Sequence, residues 1–295
     1  MSFNISECSD LNPIIELFYT HKNEPFTYIG DTHLFKLFSR LDFCRIFEAK
    51  ANQTTVGSIY AMKYMYGYGW LGGLLVNKEF RRRGVGKKLL DRAVDWLEAP
   101  YTYAFVEPEN AAARRLFEDA GFNAIYRRLN YKVQLQTLSH KQSKNEVANL
   151  DLEWSELTKA VGYRERRGIV NLGYYPIKLT EDVFNDLKNK RKVLRLGDIV
   201  AIVERSYVVT LGEYNFIFND YILGKVSIPT KNKVVEVNPF YIKQSAHDLI
   251  KLLKGLADGE LVIWTYEGDP VTRRLTLKGE LGALVLEHEN VKNSS

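Results

Sequence analysis

Between Arg81 and Lys88 the chain reads Arg-Arg-Arg-Gly-Val-Gly-Lys-Lys, two glycines among five cations. Glycine lets a backbone approach a ligand closely. The segment runs straight into Val85 to Leu97, where Leu89, Leu90, Ala93, Val94 and Leu97 fall on one helical face. The first N–H groups of such a helix lack intrahelical partners and carry the positive end of its dipole. Loop and helix together predict an anion cradle suited to a pyrophosphate. It is not a Walker A loop, since no Gly-Lys-Ser/Thr closes it, nor the Gly-x-Gly-x-x-Gly of a dinucleotide fold. A plain solvated basic face, or a nucleic-acid patch, would need neither glycine. The net charge of +5 over 295 residues does not argue for nucleic acid either.

A second block follows the cradle: Asn110-Ala-Ala-Ala-Arg-Arg-Leu-Phe-Glu-Asp-Ala-Gly-Phe122. Asn110 is placed to cap a helix whose apolar face is Ala113, Leu116, Phe117 and Ala120, and Gly121 sits where that helix should end. The two blocks, in this order, resemble the GNAT N-acetyltransferase superfamily, whose patterns are Arg/Gln-x-x-Gly-x-Gly/Ala and Asn-x-x-Ala-x-x-Leu-Tyr-x-x-x-Gly-Phe. The resemblance covers about residues 3–135. It implies an acetyl-CoA, or other acyl-CoA, as acyl donor. By that likeness Leu74, Leu75 and Val76 would pair their backbone with the pantetheine arm. Arg81, Arg82, Arg83, Gly84, Val85, Gly86 and Lys87 would hold the pyrophosphate, mainly through main-chain N–H groups. Asn110 and Phe117 would lie near the thiol end.

Two departures from that pattern bear on catalysis. Phe117 stands where many members have a tyrosine that protonates the leaving thiolate, and Gly72 and Gly73 stand where a strand carboxylate often serves as base. The substitutes within the sequence are Glu48, Glu107, His33 and the tyrosines Tyr64, Tyr66 and Tyr68; no one of them is singled out. The expected function is transfer of an acyl group to a primary amine, of a small molecule or a protein, by direct attack on the thioester. A non-catalytic acyl-CoA-binding or regulatory module is the alternative.

The elements that must position these residues give an α/β (α+β) reading: a central mixed, mostly antiparallel sheet flanked by helices. Helices are expected over Pro13–Tyr19, Thr32–Leu41, Val85–Leu97 and after Asn110. Strands are expected over Phe43–Lys50, Thr55–Tyr64, Trp70–Val76, Tyr101–Val106 and Phe122–Leu135. The polar stretch Gln136–Asn149 reads as a linker, so the expected domains are 1–139, with the acyl-CoA site, and 150–295. The second domain repeats the order faintly. Helices are expected at Glu181–Asn189 and Ser245–Leu256. Strands are expected at Val193–Glu204, Tyr207–Phe218, Val234–Val237, Leu261–Tyr266 and Gly282–His288. Two echoes about 160 residues apart support a duplication: Val76–Phe80 against Val237–Phe240, and Phe105–Leu116 against Thr265–Leu275. In place of the glycine loop the second domain has Tyr241-Ile-Lys-Gln-Ser-Ala-His-Asp, so a degenerate, cofactor-free copy is expected there.

Composition supports a soluble globular chain, with 45% apolar and 26% charged residues. Eighteen tyrosines and fifteen phenylalanines suit strand and core packing. No apolar run approaches the roughly 20 residues of a membrane span. The N-terminus lacks a basic segment followed by an apolar core. Cys8 and Cys44 give no disulfide framework and no metal-ligand spacing. A cytoplasmic protein without a bound metal is the expectation.

Overall fold

The computed structural model describes residues 2–134, 152–226, 231–242, 260–269 and 283–290, with Leu249, Leu252, Leu253 and Leu256 between them. The chain forms two compact units: Met1–Ala124 with Leu211–Tyr214 and Val285–Ser295, and Ile125–Thr210 with Asn215–Leu284. The first carries β1 (Asn4–Glu7), α1 (Asn12–Thr20), α2 (Asp31–Phe38), β2 (Cys44–Ala51), β3 (Thr54–Lys63), β4 (Gly69–Val76), α3 (Val85–Leu97), β5 (Tyr101–Val106) and α4 (Ala111–Glu118). Strands β1 to β5 lie side by side in chain order, antiparallel except for the parallel pair β4–β5.

Strand β3 is buried along nearly its whole length because both its faces are covered. On one face Gly57 lies against Val85 and Leu89 of α3. On the other, Tyr60 packs edge-on against Phe35 and Phe38 of α2, at 5.4 and 5.1 Å between ring centres. Helix α3 spans the residues its apolar period predicts, with Val85, Leu89, Leu90, Ala93 and Leu97 buried.

The sheet of this unit is completed from far along the sequence. The closing strand, Ala283–Glu289, lies beside β5. There the buried Tyr103 hydroxyl donates to Glu287 Oε2 at 2.8 Å, and the Asn290 N–H donates to the Pro100 carbonyl at 2.9 Å.

The second unit contains β6 (Asn123–Gln134), α5 (Trp154–Leu157), α6 (Val161–Glu165), β7 (Ile169–Leu172), β8 (Tyr175–Lys178), α7 (Glu181–Asn189), β9 (Val193–Leu196), β10 (Ile199–Leu211), β11 (Tyr214–Asn219), α8 (Asp220–Leu223), β12 (Lys231–Tyr241) and β13 (Glu260–Tyr266). Its sheet runs β6-β13-β12-β10-β11, with β9 on β10 and a separate β7–β8 hairpin. Strands β12 and β13 are parallel. The tip of the β10–β11 hairpin, Leu211–Tyr214, belongs to the first unit.

The units therefore differ from the halves 1–139 and 150–295. Strand β6 leaves the first half to pair with β13, and the closing strand returns from the second half to lie beside β5. The boundary expected between Glu204 and Tyr207 is absent. Ser206 is buried and its hydroxyl donates to Glu236 of β12, so the polar residues there lie mid-strand. The linker 136–149 and Arg273–Leu275 lie outside the described residues, as does most of the Ser245–Leu256 helix. No described helix is long and apolar enough to cross a membrane.

Candidate active site

Parallel pairing of β4 with β5 covers Gly69 with Thr102, Trp70 with Tyr103 and Leu71 with Ala104, and no further pair is formed toward Val76. The two strands split, leaving the edge of β4 from Gly72 to Val76 open on that side. Its other edge is irregular: Gly72 pairs with Tyr60 and Leu75 with Ser58, so Gly73 and Leu74 form a bulge. Gly73 adopts φ +62°, and a Cβ there would lie 2.7 Å from Phe35 Cζ. At Gly72 a Cβ would lie 2.2 Å from the Tyr60 hydroxyl. The strand carboxylate is therefore missing for a steric reason: the Tyr60 and Phe35 rings fill its space. Ser58 Oγ donates to the Gly73 carbonyl at 3.2 Å, which fixes the bulge and leaves the backbone of Leu74, Leu75 and Val76 to line the gap.

The gap leads into the glycine loop. Asn77 Oδ1 accepts from the Glu79 N–H at 3.0 Å, turning the chain after β4. Arg81 then reaches back: its Nε donates to the Val76 carbonyl at 2.9 Å and its Nη2 to the Glu24 carboxylate. This side chain ties the loop to the end of β4, so its charge is already engaged within the protein. Arg83 lies over the Phe80 ring, 5.6 Å from its centre, and Lys87 pairs with Asp91 at 3.0 Å. Arg82 has φ +58° and is exposed. Val85 is buried. Gly84 is the N-cap of α3 at φ +81°, no side chain caps the helix, and a Cβ at Gly84 would meet nothing within 4 Å. Gly86 differs, since its Cβ would lie 3.0 Å from Leu116 Cδ2 of α4. One glycine opens the cradle and the other brings two helices together.

The remaining expected site residues divide. Asn110 caps α4, its Oδ1 accepting from the Ala113 N–H at 3.1 Å. Phe117 is buried edge-on against Phe122, with ring centres 5.0 Å apart, and offers no proton. Glu48 is buried and occupied: one oxygen accepts from Thr55 Oγ1 and the other from Lys50 Nζ, both at 2.8 Å. Tyr64 is buried too, and its N–H donates to the Tyr68 carbonyl at 2.6 Å. The Tyr64–Tyr68 loop precedes Gly69, roughly 16 Å of strand from Leu74. His33 packs against the Leu211–Tyr214 hairpin tip, its ring centre 5.8 Å from that of Tyr214. Glu107 follows β5 directly, at the open end of the gap.

One residue the sequence did not single out stands there as well. Asp31 opens α2, and burial, with the negative charge of Glu107 as a smaller cause, pushes its carboxyl up to about 7. Its burial arises from tertiary packing and the neighbouring charge lies far along the chain, so no local pattern marks it.

The second unit repeats the splitting of a parallel pair, with a different outcome. Pairing of β12 with β13 stops at Val237 with Ile263. Past that point the buried Arg166 guanidinium, set just beyond α6, donates to the Pro239 carbonyl of β12 and to the Trp264 carbonyl of β13. Its Nε donates to the Gly162 carbonyl at 3.0 Å and its plane lies 4.3 Å from the Phe240 ring centre. An internal side chain fills this gap.

Residues 14–122 match the model of the acetyltransferase (GNAT) family. That stretch is thus similar to a GNAT acetyltransferase domain, a class that transfers acetyl groups from acyl-CoA. Comparison with curated proteins gave no match. Among solved structures, an assigned acetyltransferase from Thermoplasma acidophilum is 13% identical with a TM-score of 0.51, over 98% of this chain and 100% of its own. That likeness shows the mixed α/β fold across both units. A GNAT-family acetyltransferase from Staphylococcus aureus is 22% identical over 42% of this chain and 86% of its own, at a TM-score of 0.38. The PaiA N-acetyltransferase of Thermoplasma acidophilum, solved with coenzyme A, is 21% identical over 42% of this chain and 91% of its own, at 0.35.

Proposed function

We propose that the chain is an N-acetyltransferase that moves the acetyl group of acetyl-CoA to a primary amine of a small molecule or a protein. The observation that carries this reading is the β4–β5 gap running directly into the uncapped N-terminus of α3. In it the backbone of Leu74, Leu75 and Val76 would accompany the pantetheine arm. The N–H groups of Arg81–Lys87 would take the pyrophosphate, with Asn110 and Phe117 at the thiol end. Backbone N–H groups of the bulged strand would polarise the thioester carbonyl and stabilise developing negative charge. A neutral amine attacks that carbonyl, the C–S bond breaks, and the thiolate takes a proton from water or the nitrogen. A thiol pKa near 8.5 makes it a tolerable leaving group without a tyrosine at position 117.

The second unit is read as a degenerate copy of the first, in a cytoplasmic protein with one acyl-CoA site per chain. Its support is the parallel β12–β13 pair, with Leu249, Leu252 and Leu253 buried between those strands in sequence, and the Arg166 plug in the matching gap. A non-catalytic acyl-CoA-binding module is favoured by a single pair of observations: β4 has no carboxylate and position 117 has no hydroxyl. Calorimetry should show one acetyl-CoA bound per chain. Release of CoA thiol with a panel of putrescine, spermidine and an alanine-terminated peptide then separates the readings. Binding without release from any primary amine would leave only the binding module.

A further inference from the structure

The proposed site has a donor cradle and backbone N–H groups for the carbonyl, and an ammonium acceptor must also lose a proton. We propose that Asp31 is that proton acceptor, receiving the acceptor amine at the open end of the β4–β5 gap. This assignment rests on the acetyltransferase reading.

The packing of α2, a neighbouring charge and a cluster of rings point to the carboxyl standing there. Helix α2 is anchored over the strand bulge, because the Phe35 ring lies directly against Gly73. Asp31 precedes Phe35 by four residues, so it shares that helix face one turn nearer the N-terminus. The direction of that turn is set by Glu107. Strands β4 and β5 are parallel, so Glu107 stands at the same end of the sheet as Val76, and its charge acts on Asp31.

The third is the cluster of rings. Tyr28 packs on Gly30, the residue before Asp31, with its Cε1 2.5 Å from where a Cβ would be. Tyr214, from the hairpin tip, meets Tyr28 edge-on at 5.2 Å and His33 at 5.8 Å. These rings stand beside the start of α2, and aromatic faces suit an approaching cation. The charged group that acts on Asp31 is Glu107 from the end of β5; His33, Tyr28 and Tyr214 are the titratable residues clustered near the start of α2.

The resulting step balances. An ammonium R–NH3+ gives one proton to the Asp31 carboxylate, and the nitrogen lone pair attacks the thioester carbon. The C–S bond breaks, the nitrogen's second proton goes to the departing thiolate, and Asp31 returns its proton to water. A carboxyl titrating near neutrality is matched to this work, since it is ionised when the amine arrives and still basic enough to take the proton.

The test uses the full chain and the amine from the panel that is turned over fastest, provided its own pKa lies well above 9. For the wild type, kcat/KM should rise with pH through a midpoint near the Asp31 value of about 7. Asp31→Asn should lower it by about 10²–10⁴-fold and remove that limb, with acetyl-CoA affinity unchanged. Glu107→Gln removes the neighbouring negative charge, so the limb should move to lower pH. An Asp31→Asn chain with the wild-type profile, or a Glu107→Gln limb that stays in place, would overturn the assignment. A wild-type chain that binds acetyl-CoA yet acetylates no amine would overturn the acetyltransferase reading, and the assignment with it. That outcome is seen in the wild type alone, before any variant is compared.

Discussion

At the residue scale, the two loop glycines have different jobs, and the difference is measurable. Gly84 faces open space at φ +81°, so Gly84→Ala puts a methyl where a phosphate would lie and costs about 1–2 kcal/mol from the left-handed backbone. Acetyl-CoA binding by calorimetry should weaken more than about tenfold, equivalent to about 1.4 kcal/mol. At Gly86 a Cβ would point at Leu116, so Gly86→Ala should press on the α3–α4 contact and leave affinity nearly unchanged. Asp31 supplies a stability prediction. Its raised carboxyl binds a proton more tightly in the folded chain, so its stabilising contribution is full below the ordinary value of 3.8 and is lost as pH rises through about 7. Asp31→Asn should therefore raise the melting temperature at pH 8 and lose that advantage toward pH 4, measured by thermal scans at both. A residue that destabilises the fold while holding a proton where chemistry needs it is the usual stability–activity trade.

At the element scale, what the sequence disclosed follows from how local each cause is. Helix α3 and its loop were readable because a 3.6-residue apolar period and a left-handed glycine are properties of adjacent residues. Strand β10 was misdivided because Ser206 is buried only through a donation to Glu236, thirty residues away. The β7–β8 hairpin was missed although Gly173 marks its turn, and its closure depends on Glu236 accepting from the Gly173 N–H at 2.8 Å. Asp31 is unmarked in the sequence for a similar reason, since its burial comes from tertiary packing and the like charge of Glu107 is remote along the chain. The Arg166 plug belongs with these cases. Arg166→Ala would take the guanidinium donor from the carbonyls of Pro239 and Trp264 and leave a buried cavity, and should cost about 3 kcal/mol or more. Urea unfolding would read this loss. Calorimetry should still find one acetyl-CoA per chain, since the second unit lacks the glycine loop.

At the scale of the whole molecule, the first unit cannot be cut out of the sequence as its first half. A chain ending at Ser139 would lack the closing strand, leave the buried Tyr103 hydroxyl without Glu287 and bare the edge of β5. That fragment alone should aggregate or fail to bind acetyl-CoA. Co-expression with residues 140–295 should restore binding, because the strand is then supplied in trans; recovery of a soluble, binding-competent 1–139 fragment by itself would refute this. The returning strand also sets an order of events during synthesis. At about 5–20 residues per second, roughly 8–32 s pass between the emergence of Ala124 and that of Val285. Through that interval the ribosome carries a nascent unit whose β4–β5 gap is flanked by an unfinished sheet. A chain stopped short of Val285 would then carry every motif of the proposed donor site without the strand beside β5, so completion of this sheet waits on nearly the whole length being made.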